Sequence, residues 1–538
     1  MSIPDLVFNH AKAARPVIMG RHGMVSSGHY LASLSGIKAL QEGGNAVDAA
    51  LATSFTLAVA RPHSCGVGGD LFSLVFMKGG GKVEDLNASG PAPGKATIDY
   101  YKGKGLMQVP TEGALSVAVP GVVDGWIELH KKYGTLDLPR LAADAIGYAG
   151  NGFPLYDSLL TAIEELAPSH PGLRKLYRDV LANPSPGSLV VQKKLAGSLE
   201  EIVESGRDSY YEGRLGELLC AGVRAEGGII ESKDLKGTRA EWLAPISSTY
   251  RDYTIFEQPP VSQGLIVLEI MNILENFSLA EMTPTDIVHA MVEAKKLAFE
   301  DRIHYLEDPR FGDPKVSMIL SKEHARRRKV LIGERARSRE EILASLGGDT
   351  TYLCAADSNG NAVSLIQSVF AAFGSRVVAG DTGIIMNNRL SSFGLDPKKA
   401  NSLKPGKRPV HTLNSYMVFR ENEFFAVGGT PGADDQPQTN VQILHHLLDL
   451  HMDPQTAIEL PRWSHRPGTP PNLDMPQELR VEEGVAHEVV QGLEAKGHNV
   501  KVLGRWQFGG VELIVRDPGS GTLMAGADPR REGYAIGW

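Results

Sequence analysis

The chain has 538 residues, 42% of them hydrophobic, enough for a large core or a few modules of ordinary size. Lysine and arginine number 55 against 63 acids, and the formal charge of −8 with no long basic tract argues against nucleic acid or an anionic membrane as partner. Cys65, Cys220 and Cys354 are too scattered for metal or disulfide spacing and read as buried thiols. The N-terminal stretch lacks the apolar core of a signal peptide and no run would span a bilayer, so a soluble cytoplasmic protein is expected.

Residues 29–44 carry helical apolar spacing and stop at Gly43-Gly44, and Asn45 is placed to cap a second, alanine-rich helix, AVDAALATSFTLAVA. A Gly-rich loop, a strand, a turn and a strand follow in CGVGGDLFSLVFMKGGGKVEDLNASG. GVVDGWIELHKKYG and LPRLAADAIGYAGNG read as amphipathic helices, and 263–277 and 284–306 as further helices. Residues 321–346 are charged and helical in pattern; acids surround the run Arg326 to Lys329, which reads as a solvated face. From Thr350 the pattern changes to two short strands about the turn DSNGN, a second hairpin over 416–429, the helix QTNVQILHHLLDL, and a last hairpin in VELIVRDPGSGTLMAGADPR. This shift predicts two parts, a helix-rich 1–349 and a hairpin-rich 350–538.

The stretch GGDTTYLCAADSNGNAVSLIQS opens a strand with two hydroxyls directly after a Gly-Gly-Asp loop. A threonine at a chain terminus carries its own base, an α-amine of pKa roughly 7.7–8.0, and can act as a nucleophile near neutral pH. Inside a chain such a terminus arises only by cutting the Asp349–Thr350 bond, and Thr350 could attack the Asp349 carbonyl to do so. By spacing alone the signal is weak, and a hairpin with a polar entry is the commoner reading, because Thr-Thr at a strand start is common.

The segments GMVSSGHYLASLSGIKALQEGGNAVDAALA, LAVARPHSCGVGGDLF, PPVSQGLIVLEIMNILE, TTYLCAADSNGNAVSLIQS, GKRPVHTLNSYMVF, GGTPGADDQPQTNVQIL and GADPR occur in one order across most of residues 23–530. Together they resemble the gamma-glutamyltranspeptidase family. The resemblance implies an α/β fold, the αββα sandwich of N-terminal-nucleophile hydrolases, made as one proenzyme that cuts itself into a large and a small subunit. It implies Thr350 as nucleophile, with Thr351 as rival, Ser368 as its hydrogen-bond partner, and the backbone amides of Gly432 and Ala433 as the oxyanion hole. The family usually has glycine where Ala433 stands, but an amide N–H survives that change.

The glutamyl-binding positions depart from the family. Its carboxylate-binding arginine falls on Ser89, or with a gap on Asn87, and its amine-binding acid falls on Ser392. A nearby glutamine becomes Arg389, a serine pair becomes His411-Thr412, and an asparagine becomes Phe370. This pattern resembles the divergent cytoplasmic branch that includes oxamate amidohydrolase and cephalosporin-acylase-like members. Arg389 can grip a substrate carboxylate or form a structural ion pair. His411 can meet substrate or pack under the loop, and Asp434-Asp435 can orient an amine or cap the helix starting near Pro437. His63 and Cys65 can line a pocket floor or serve structure. No HExxH, CxxC or Walker pattern occurs, so neither metal nor nucleotide cofactor is expected. Three readings remain: an amide hydrolase acting on a small carboxylate-bearing amide, a gamma-glutamyltransferase or glutathione hydrolase with a substituted clamp, and a catalytically dead metabolite-binding scaffold.

Overall fold

The computed structural model describes residues 13–337, 349–466 and 477–538. Two seven-stranded antiparallel sheets form its centre. One runs, in spatial order, Tyr534–Gly537, Gly23–Ser27, Asp349–Asp357, Ala362–Phe370, Asp70–Met77, Lys82–Ala88 and Glu241–Leu243. The other runs Ile18–Gly20, Leu523–Ala527, Glu512–Arg516, Glu423–Gly429, Ser415–Arg420, Tyr253–Glu257 and Ile246–Tyr250. Strands from before and after residue 350 therefore interleave in both sheets.

Alternation along each strand divides the core into layers. Tyr352, Cys354, Ile366 and Phe72 meet Met417, Val427 and Ile514 between the sheets. Leu353, Ala355, Val363 and Leu365 face outward, where Tyr30–Gln41, Ala46–Ala60, Val122–Tyr133 and Leu138–Asn151 cover them. Gly264–Leu274, Pro284–Tyr305 and Asp435–Leu448 cover the second sheet, completing the αββα order. The expected Asn45 cap is present: its side chain accepts from the amides of Val47 and Asp48. Small residues let the first two helices touch, and a Cβ on Gly36 would stand 2.2 Å from the Thr53 hydroxyl. All three cysteines are buried, and none is paired in a disulfide.

Two expectations change. The charged segment after Ser321 is helical only over Lys322–Lys329, and its residues 338–346 lie outside the described residues, as do Gly347 and Gly348. Its basic run is not simply a solvated face: Arg327 pairs with Glu323 at the surface, but Arg328 turns inward to Asp301 and Glu300. Buried carboxylates on the neighbouring helix supply the reason. Among the described residues no helix is long and apolar enough to cross a membrane.

Candidate active site

The hairpin Asp349–Asp357 and Ala362–Phe370 turns at DSNGN, where Asp357 Oδ1 accepts from the amides of Asn359 and Asn361 and Gly360 takes φ 84°. That turn fixes the register from Ala356↔Ala362 to Thr351↔Gln367. The register then slips at a bulge, so that Asp349 pairs with Phe370 and Thr350 lies opposite the extra residue. Thr350 shares the inward face with Tyr352 and Cys354. Its hydroxyl donates to Ser368 Oγ at 3.2 Å, and that oxygen also accepts from the Phe370 amide at 2.7 Å. Both side chains are buried. Thr351 takes the opposite face, its hydroxyl 2.8 Å from where a Cβ on Gly28 would stand. The two sheet faces thus give the two threonines different surroundings.

The Gly432–Ala433 turn enters the helix Asp435–Leu448, which begins two residues before Pro437; a proline in a first turn sacrifices no helical hydrogen bond. Gly432 has φ 127° and Ala433 φ 51°, a left-handed conformation that costs an alanine roughly 1–2 kcal/mol and a glycine little. Gln263 bears part of that strain: its Nε2 donates to the carbonyls of Ala433 at 3.0 Å and Thr412 at 2.6 Å. The capping expected of Asp434-Asp435 is absent, because ion pairs compete for both carboxylates. Asp434 meets Arg302 at 2.6 Å, and Asp435 meets Arg466 at 2.8 Å and the Ser464 hydroxyl.

Support for the turn comes from behind. Thr430 Oγ1 accepts from the Gly510 amide, and Arg462 donates to the Phe508 carbonyl at 2.6 Å. Arg462 is ion-paired with Asp528 at 2.7 Å, and Asp528 also meets Arg530 at 3.1 Å and accepts from the Val511 amide. Asp528 and both arginines are buried. Burial works against the Asp528 charge, but Arg462 and Arg530 prevail and hold its carboxyl down at about 2.

A cavity of about 530 Å³ opens beside these elements. Its wall includes Phe370, Ser392, Phe393, Val410, Thr412, Gln263, Arg302 and Asp434, and is mostly apolar. Of the expected substrate-binding residues, Thr412 and Ser392 line it. Arg389, His411 and Ser89 are not on its wall. Arg389 is fully buried, stacks 4.2 Å over the Phe370 ring and faces Asp70 at 3.4 Å without hydrogen-bond alignment. The ion-pair alternative is the one this geometry realises. Burial pushes the Asp70 carboxyl up to about 6, opposed by Arg389, and pulls Arg389 down to about 10. His411 lies 3.8 Å from Asp70 and edge-on to Phe72; burial, then Arg389 and Arg408, keep it well below its ordinary value and neutral at pH 7. The Ser89 hydroxyl donates to Asn87 Oδ1, so the two alternative positions for the missing arginine satisfy each other. His63 and Cys65 sit under the hairpin, where the His63 carbonyl accepts from the Phe373 amide and Gln367 donates to Cys65 Sγ; neither is on the cavity wall.

Asp70, Gln263 and Arg302 escaped sequence reading. A faint signal existed for Arg302: the helix Pro284–Tyr305 carries charges on every face, so some of them had to be buried. Among the described residues two clusters have metal-ligand spacing, His289–Glu293–His498 and Glu269–Asp301–His324. In both, protein cations already face the acids: Lys296 on Glu293, and Arg328 on Asp301.

A sequence model described as gamma-glutamyltranspeptidase matches residues 32–538. The chain is 40% identical over 527 residues to the glutathione hydrolase-like YwrD proenzyme of Bacillus subtilis, covering 97% of this chain and 99% of that protein. It is 35% identical over 535 residues to the oxamate amidohydrolase proenzyme of Klebsiella pneumoniae, covering 96% and 98%. The crystal structure of a cephalosporin acylase from Bacillus halodurans superposes with a TM-score of 0.90 at 36% identity, covering 98% of each chain.

Proposed function

The chain belongs to the gamma-glutamyltranspeptidase family, and we propose that it is a self-cleaving amide hydrolase or acyl transferase whose nucleophile is Thr350. The observation that carries this reading is the buried Thr350–Ser368 hydroxyl pair at a bulge, where Ser368 also accepts from the amide of Phe370, a residue of the cavity wall. In the first step Thr350 Oγ attacks the Asp349 carbonyl carbon, the Asp349–Thr350 C–N bond breaks, and an ester forms. Water hydrolyses the ester, leaving a carboxylate on Asp349 and a free α-amine on Thr350. The fragments are then 1–349 and 350–538. In turnover the α-amine takes the hydroxyl proton as Oγ attacks the substrate amide. The amides of Gly432 and Ala433 hold the developing oxyanion, and the proton passes to the leaving amine. Water, or an acceptor amine, releases the acyl group.

The acyl donor proposed is an amide with a carboxylate but no α-amine. Ser89 and Ser392 bring no charge, and Arg389 is stacked behind Phe370, which forms part of the wall. A zwitterionic head would be desolvated there with little return. Relatives named for oxamate and for acylase activity agree with this; one named glutathione hydrolase-like keeps a gamma-glutamyl reading in play. Side-by-side turnover of gamma-glutamyl-p-nitroanilide, glutathione, oxamate and glutaryl-cephalosporin separates them. Weak turnover of both gamma-glutamyl compounds and better turnover of an amine-free carboxylated amide is expected. Efficient hydrolysis of micromolar glutathione would reverse the assignment.

Ser368→Ala tests the pair itself. The stability loss should be about 1–3 kcal/mol, since the Thr350 hydroxyl and the Phe370 amide both lose their acceptor. Maturation and turnover should both slow by tenfold or more, because the attacking hydroxyl loses its orientation. Wild-type rates for both, followed by intact mass and product release, would make Ser368 a bystander.

A further inference from the structure

Arg302 stands apart from the other cations on the cavity wall. Lys102 and Lys399 are exposed at its rim, but the Arg302 side chain is 2% exposed. One nitrogen, Nη1, reaches both Asp434 Oδ1 and Gln263 Oε1. The face of the guanidinium lies 3.8 Å over the Phe299 ring. The remaining edge, Nε and Nη2, is itself buried and has no hydrogen-bond partner among the described residues, so a carboxylate meets it only where the wall gives way. A buried guanidinium with an unused two-nitrogen edge carries a large desolvation cost, and that edge has the spacing of a carboxylate. Asp434 directly follows the proposed oxyanion turn, so its pairing with Nη1 ties Arg302 to that side of the cavity.

We propose that Arg302, through Nε and Nη2, binds the carboxylate of the amide substrate. This rests on the acyl-transfer reading above. Arg302 is thus assigned as a specificity residue, a role that sequence comparison with the family's glutamyl clamp would place at Ser89. The Arg302–Asp434 pair is neutral, so the entering anion brings a net negative charge into the wall. Lys295, two turns back on the same helix, is turned to the His465 carbonyl, and burial, then Arg302, hold its amine well below its ordinary value, so the anion's charge falls on Arg302 itself. The volume also bears on substrate: about 530 Å³ is the size of sites that enclose drug-sized ligands, far more than a two-carbon acyl amide fills. The apolar wall of Phe393, Val410 and Leu306 suits a substrate with a sizeable hydrocarbon part besides its one carboxylate.

The test uses Arg302→Lys, which keeps a cation for Asp434 but removes the second edge. Two substrate pairs locate the carboxylate: glutaryl-p-nitroanilide against valeryl-p-nitroanilide, and N-butyryl-4-aminobenzoate against N-butyrylaniline. In Arg302→Lys the charged-to-uncharged ratio of kcat/KM should fall at least tenfold in one pair, chiefly through KM, which assigns the carboxylate to the acyl or the amine side. Ratios within twofold of wild type in both pairs, or parallel loss on charged and uncharged members, overturn the proposal. So does an equal fall of the ratio in Lys399→Ala, since a rim cation would then do the same work. Calorimetric titration with glutarate separates this proposal from the acyl-transfer reading, because it needs no turnover. Wild type should bind glutarate at least tenfold more tightly than Arg302→Lys, even if every anilide proves inert. Equal affinities would reject Arg302 as the anchor.

Discussion

Thr350→Ala is expected to give a single uncut chain with no measurable amidase activity. Under the proposed mechanism the substitution removes the one oxygen that attacks first the Asp349 carbonyl and then the substrate. Loss of a covalent nucleophile lowers kcat by on the order of 10⁴-fold or more. The fold should survive, since the cost is one buried hydroxyl and its bond to Ser368, about 1 kcal/mol. Thr350→Ser should still mature, more slowly, because it keeps the oxygen and loses only the methyl that limits its rotamers. Thr351→Ala should cut at the same bond as wild type, because Thr351 faces Gly28 on the other side of the sheet. Intact mass under denaturing conditions reads all three. Fragments from Thr350→Ala would transfer the chemistry to another residue or to an outside protease.

The second large effect is expected far from the nucleophile, in Asp528→Asn. The exchange keeps the shape and removes the charge that faces Arg462 and Arg530, all three buried. Arg530 retains Glu482, but Arg462 is left with carbonyls alone. Breaking one partner out of a buried pair costs roughly 3–5 kcal/mol. Because Arg462 holds the Phe508 carbonyl beneath Thr430, the loss should also slow maturation through the Gly432–Ala433 turn. The pH dependence has a definite sign. The folded carboxyl sits at about 2, below the ordinary value of 3.8. Its contribution is therefore fully present above pH 4 and disappears as pH falls from there towards 2. In that window Asp528→Asn should show a flatter stability profile than wild type. A urea midpoint equal to that of wild type at pH 7 would remove the network from the account of the turn.

The parts of the site that were legible in the sequence are those set by short-range rules. DSNGN centres the hairpin between Ala356 and Ala362, and counting outward from it brings residue 350 to residue 368. Asn45 announced its helix in the same way. The bulge that slips Asp349 onto Phe370 is not written in the turn, because it depends on Ser368 also pairing with Asp70 on the far side. Arg389 was visible as a cation near the pocket. Whether it meets substrate or Asp70 depends on a strand nearly the whole first part of the chain away, which no local pattern encodes. Arg302 was hidden for the opposite reason. It sits in a helix whose charges look like an ordinary solvated surface until tertiary packing covers them. The helix cap expected at Asp434-Asp435 failed for a related cause: two arginines from distant segments outbid the helix amides for both carboxylates.

The interleaved strands carry a consequence for how this protein behaves in the hand. Gly23–Ser27 is hydrogen-bonded on one edge to Tyr534–Gly537 and on the other to Asp349–Asp357, the strand that begins at the proposed scissile bond. If that bond is cut as proposed, neither product owns a complete sheet, and separating them would strip backbone pairing from both. Gel filtration, dilution and long dialysis in native buffer should therefore report one particle of unaltered size. Affinity tags on opposite ends should travel together through any number of washes. Nicking becomes visible only in detergent or denaturant, so a preparation judged homogeneous by its elution profile can still be any mixture of cut and uncut molecules.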